Sequence, residues 1–194
     1  MRAGSSRLGV RPRRKTWTVH AFIDESRRRG VYLVSWVEVA GSDIETVRRR
    51  LRACVLPGQR RLYFVNERTQ RRQQLLAEFG RLPIRGQVVA VKLGTRGEGD
   101  ARKVALELIL TDLPTDVDHL VIESRRGRDH DDRRVIAATL KQRDRGRGLR
   151  YEHRQPYEEP GLWLPDAFAW AAGAGRDWQK RLDQIAVPVT RIGP

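Results

Sequence analysis

The stretch that most constrains this chain lies at 16–26 and reads Thr-Trp-Thr-Val-His-Ala-Phe-Ile-Asp-Glu-Ser. Seven of its first eight residues are β-branched, aromatic or histidine, the composition of a strand buried on at least one face. Because residues near its acid end are apolar on both faces, the strand is expected at the centre of a sheet. The run stops at Asp24-Glu25, which puts acid at the strand's C-terminal end. A carboxylate there is held by a rigid element yet opens to solvent at the sheet margin, a setting that suits a metal ligand. The same pair also suits the start of a turn, where Asp is common.

Two later stretches share this character. Leu120-Val121-Ile122-Glu123 is a second apolar run ending in a carboxylate, and Trp163-Leu164-Pro165-Asp166-Ala167-Phe168-Ala169-Trp170-Ala171 puts Asp166 in the first turn of an alanine-rich helix. Three acids so placed can converge. Each also has a structural reading, Glu123 as the start of a loop and Asp166 as an acid favourable to the helix dipole.

Between these stretches, apolar periodicity predicts a strand at 31–39 reached through a turn at Gly30, a helix opened by a Ser42–Glu45 capping box, and a short strand at 62–65. Asn66 is expected to cap a helix at 67–79, with Leu75, Leu76 and Phe79 inward. Strands at 88–93 and 118–123 flank a helix at 100–113, and a further helix carries Val135, Ile136, Thr139 and Leu140 on one face. Residues 151–153 suit a short edge strand, and the closing helix at 164–182 has possible breaks at Gly173 and Gly175. The loop at 94–99 lacks the Gly-Lys-Ser/Thr ending of a phosphate-binding loop. Strands paired early and then alternating with helices predict an α/β mixed sheet with helices packed on its faces. Residues 16–194 read as one domain behind a flexible basic arm at 1–15.

Charge bears on the partner. There are 39 Lys and Arg against 24 Asp and Glu, a net +15, and nearly all the cations are arginine. A codon bias accounts for arginine over lysine but not for the net charge. Guanidinium groups bind phosphate in pairs of hydrogen bonds, so a polyanion is the natural partner. Arg13, Arg14 and Lys15 in the arm, Arg27, Arg28 and Arg29 after the first strand, and Arg125 and Arg126 after the 118–123 strand are the candidate nucleic-acid contacts. No apolar run approaches the ~20 residues that span a bilayer, and no apolar segment follows the N-terminal basic residues as in a leader. A cytoplasmic location is the expectation. Cys54 is the only cysteine, which leaves no intramolecular disulfide and no multi-cysteine zinc knuckle.

The Phe22-Ile23-Asp24-Glu25-Ser26 opening followed by an antiparallel apolar strand, with Pro165-Asp166-Ala167-Phe168-Ala169-Trp170-Ala171 near the end, resembles an uncharacterised family of RNase H-like proteins. In that family the first strand ends in Ile-Asp-Glu-Ser-Gly and the last helix begins with an Ala-Asp pair. Here Arg27 stands in place of the glycine, Pro165-Asp166 in place of Ala-Asp, and Tyr63-Phe64-Val65-Asn66-Glu67 where a His-containing motif is usual. The resemblance implies an RNase H-like fold and a set of acids, Asp24, Glu123 and Asp166, that bind Mg²⁺ or Mn²⁺ in a nuclease, with Glu67 a possible fourth ligand. It also leaves room for an inactive nucleic-acid-binding or interaction module that keeps the fold.

Other polar clusters have simpler readings. In Asp129-His130-Asp131-Asp132, helix capping with ion pairs to Arg133 and Arg134 is simpler than a metal site. His20 reads as a core or sheet-face histidine, and His119 and His153 carry no assignment. Of the five tryptophans, Trp163, beside a Pro-rich connector, is the candidate for an exposed stacking platform.

Overall fold

The computed structural model describes residues 18–95, 97–142 and 148–193. The basic arm at 1–15, with Arg13, Arg14 and Lys15, lies outside the described residues. Six strands form one sheet in the order β5-β4-β1-β2-β3-β6. They are β1 (Val19–Arg28), β2 (Val31–Ala40), β3 (Ile84–Lys92), β4 (Val117–Glu123), β5 (Arg150–Arg154) and β6 (Val189–Ile192). β1 to β3 form an antiparallel meander; β4 joins β1, β5 joins β4 and β6 joins β3 in parallel. The acid-bearing first strand is therefore interior, as its two-sided apolar pattern predicts.

That strand does not stop at its acids. β1 continues to Arg28 because β2 pairs with it over the full length, and the chain reverses through Arg29 and Gly30 at φ 48° and 73°, the left-handed pair of a type I′ hairpin. What ends near Asp24 is the parallel ladder with β4, whose last pair is Ile23 with Ile122. The acids thus sit where one neighbour strand ends and the other carries on.

Alternation along the strands makes two cores. Phe22, Leu33, Val37 and Val121 face α1 (Ile44–Arg52), α2 (Thr69–Phe79) and α5 (Trp163–Gly173), while Ala21, Ile23, Val34 and Ile122 face α3 (Glu98–Asp112) and α4 (Asp129–Gln142). α5 is buried at nine of its eleven positions, so it acts as a core helix against the sheet rather than a surface one. The closing helix does break at the glycines, with α6 (Arg176–Gln184) as its second piece.

Several local expectations fail for identifiable reasons. Leu62-Tyr63-Phe64-Val65 forms no strand: Leu62 and Phe64 are buried, and a 3₁₀ turn spans Phe64–Asn66. Arg72 donates to the Phe64 and Val65 carbonyls at 3.0 and 2.8 Å, satisfying backbone that a strand partner would otherwise take. Asn66 is consequently outside α2, whose N-cap is Arg68. The Ser42–Glu45 box does not form either; Asp43 is the cap residue of α1 without a side-chain bond, and Glu45 bonds Arg48 at 2.6 Å. Trp163 is buried, its indole N–H donating to the Pro156 carbonyl at 2.7 Å, so it offers no stacking platform. Asp132 is no partner of Arg133 or Arg134; it is buried against Arg102 and His153.

Candidate functional site

Beyond the Ile23–Ile122 pair, Asp24 on β1 and Glu123 at the end of β4 project toward the α5 face, since Phe22 and Val121, two residues before each, lie in that core. Asp166 reaches the same place from the first turn of α5. The approach of α5 depends on Gly161: a Cβ there would lie 2.5 Å from the Phe22 ring, so a larger residue would lift the turn at Pro160–Leu162 that feeds the helix. Glu159 accepts from the Gly161 N–H at 2.9 Å and is held by Arg48 of α1. Local sequence at 159–161 thereby sets the register in which Asp166 meets the sheet.

The three carboxylates line one cavity of about 120 Å³ together with Arg61, Tyr63 and Trp163. Burial pushes the Asp24 carboxyl well above the usual carboxylate range, reinforced by its hydrogen bond and charge interaction with Glu123 and by Asp166. Asp166 is pushed up to about 6, again first by burial and then by Glu123, against the opposing pull of Arg61 and a hydrogen bond from the Phe64 backbone. Acids crowded in this way share protons until a cation replaces them. The Arg61 guanidinium lies 3.8 Å from Glu123.

Glu25 also lines the cavity, but its carboxylate turns to the opposite face. It pairs with Arg102 of α3 and with Arg125 at 2.6 Å, while Arg102 holds Asp132 through two bonds of 2.6 Å and Arg125 donates to the Tyr32 hydroxyl at 2.9 Å. Burial is overcome at Asp132 by Arg102 and His153, which hold it down at about 2. This buried network braces β1 directly behind Asp24 and ties β1 to α3 and α4.

Of the four acids singled out in the sequence, three are brought together. Glu67 is not among the residues lining their cavity; it is buried and paired with Arg71 at 2.9 Å. The candidate cations also divide. Arg27 is exposed and paired with Glu98, Arg28 lies 4.5 Å over the Trp170 ring, and Arg29 and Arg126 are exposed. Arg125 is engaged inside the molecule. Arg61 and Tyr63 carried no functional signal in the sequence, because one is an arginine among many and the other sits within the 62–65 run whose pattern reads as a strand.

An all-oxygen set of mutually repelling acids is the donor chemistry that hard divalent cations take. As they stand, no three His, Cys, Asp or Glu side chains among the described residues are spaced to hold a metal ion. The donor types fit, and closure around an ion calls for side-chain adjustment at Asp24 and Glu123, which bond each other.

No protein-family model and no curated protein sequence matches the chain. Among solved structures, the PCNA:RNase HII complex from Archaeoglobus fulgidus contains a chain similar to this one, with a TM-score of 0.53 at 16% identity over 88% of this chain and 78% of that chain. At that identity the likeness establishes the fold, which is RNase H-like. No helix among the described residues is long and apolar enough to cross a membrane.

Proposed function

We propose that this chain is a phosphodiester-hydrolysing enzyme acting on nucleic acid, with Mg²⁺ or Mn²⁺ held by Asp24, Glu123 and Asp166. The observation that supports it is the convergence of acids from β1, β4 and α5 in one cavity, with the carboxyls of Asp24 and Asp166 raised in pKa by burial and mutual repulsion. Nothing in core packing calls for three acids there. When bound, a divalent ion supplies water activation and stabilisation of the leaving oxygen. Asp24, whose carboxyl is raised, gives up its proton to take the cation, and Arg61 would hold a phosphate oxygen at the cavity mouth. Residues 16–194 serve as one domain, and the arm at 1–15 adds phosphate contacts, with the protein acting in the cytoplasm.

Calorimetry with Mg²⁺ and Mn²⁺, paired with cleavage of labelled oligonucleotides, tests this. Asp24→Asn should abolish both metal binding and cleavage while nucleic-acid affinity is kept or improved. No heat of metal binding and no cleavage by the unmutated protein would sink the enzyme reading. The competing reading is an inactive binding module, favoured by the direct Asp24–Glu123 bond and by Arg61 beside Glu123, which balance charge without an ion. It predicts nucleic-acid binding that is indifferent to divalent metal.

A further inference from the structure

The described residues leave four large hydrophobic side chains exposed: Leu56, Tyr63, Val65 and Tyr157. All four come from two loops, the α1–α2 connection and the β5–α5 connection. Tyr63 and Val65 line the acid cavity, and Tyr157 follows Pro156, which lines it too. Scattered exposed apolar residues such as Leu56 need no explanation, but Tyr63 and Val65 at one cavity, with Tyr157 next to its lining residue Pro156, do. Each tyrosine also carries a guanidinium. Arg61 lies 4.1 Å from the centre of the Tyr63 ring, and Arg60 lies 5.6 Å from that of Tyr157. The Arg60–Tyr157 contact joins the two loops. Tyr63 is 40% exposed and Tyr157 54%, so ring surface stays open to a further planar partner.

An exposed aromatic paired with a cation is what an unstacked nucleotide requires, since the base stacks on the ring while the guanidinium meets its phosphate. A fully paired duplex hides its base faces and cannot use the rings. Because Tyr63 and Val65 line the acid cavity, a chain of nucleotides lying across it would bring its bases to this rim. We propose that the Tyr63 and Tyr157 rim binds unpaired bases, so that the preferred substrate of the site proposed above is single-stranded or locally unpaired nucleic acid. This rests on the nucleic-acid reading but not on catalysis.

The test is binding of the full chain carrying Asp24→Asn, which prevents cleavage, to three fluorescent probes of equal length: a single-stranded oligonucleotide, its duplex, and an abasic strand with the same phosphates. The single strand should bind at least about tenfold more tightly than the abasic strand, as stacking on two rings allows. Tyr63→Ala with Tyr157→Ala should erase that preference and leave abasic affinity unchanged, whereas the double Phe variant should retain it. 2-Aminopurine placed in the strand should be quenched on binding, and the Ala variant should lose the quenching. Equal affinity for normal and abasic strands, or an Ala variant that keeps the preference, overturns the stacking rim while leaving charge-driven binding intact. Failure to bind any of the three probes overturns both this inference and the nucleic-acid reading, and would leave a protein partner as the occupant of the rim.

Discussion

At the scale of single residues, the consequential groups are carboxyls whose pKa values folding raises. Asp166 rises from 3.8 to about 6, through burial and Glu123, and Glu38 rises from 4.5 to about 7, through burial and Asp116. A raised acid binds its proton more tightly in the folded than in the unfolded chain, so its contribution favours folding at low pH. That contribution falls as pH climbs through the window between the two values. Asp166→Asn should therefore stabilise the metal-free protein by on the order of 1 kcal/mol at pH 8 and by little near pH 4, discounted because the side chain is partly exposed. Glu38→Gln should behave alike, with its gain developing between about pH 4.5 and 7. Urea melts across pH 4 to 8 measure both, and a gain that is constant with pH contradicts the assignment. At neutral pH added Mg²⁺ should reverse the order for Asp166→Asn, because only the unmutated site gains from the ion.

Among elements, the join between α3, α4 and β1 rests on one arginine. Arg102 is buried and faces Glu25 of β1 and Asp132 of α4. Replacing it with Met keeps the length but leaves Glu25 with Arg125 alone and buried Asp132 with His153 alone, at a cost of up to about 3–5 kcal/mol. Thermal unfolding of Arg102→Met should show a large drop in Tm, and adding Glu25→Gln and Asp132→Asn should recover part of it, as a double-mutant cycle would read. A small effect of Arg102→Met alone would mean that the network is not a brace.

For the molecule as a whole, the net charge of +15 predicts binding to nucleic acid that weakens steeply with salt, because each phosphate contact releases a counterion. Affinity that is flat between about 50 and 200 mM salt would contradict it. Removal of residues 1–15 should lower affinity and reduce the salt slope while leaving the melting temperature unchanged, since the described core makes its sheet and both hydrophobic clusters from residue 19 onward. A shifted melting temperature would mean that the arm packs on the domain.

A mixed α/β sheet covered by helices was legible in the sequence because its signals are local: two-sided apolar runs mark β1 and β4, and a turn glycine marks the hairpin; its RNase H-like character was implied only by the resemblance carried by Phe22–Ser26 and Pro165–Ala171. An alanine-rich stretch opening on Pro165-Asp166 marks the helix on which the third acid rides. The acids could be named for the same reason, each terminating or starting an apolar element. What no local pattern carries is the choice of partner. Val189–Ile192 is a strand because β3 offers it an edge, and 62–65 is not one because Arg72 and the core around α5 claim its carbonyls and side chains first. Glu67 and Asp166 each begin or precede a helix, yet one lies against Arg71 and the other in the acid cavity. That difference is made by the Gly161–Phe22 approach and by the parallel pairing of β1 with β4, contacts between residues far apart in the chain, which exist only once the sheet has closed.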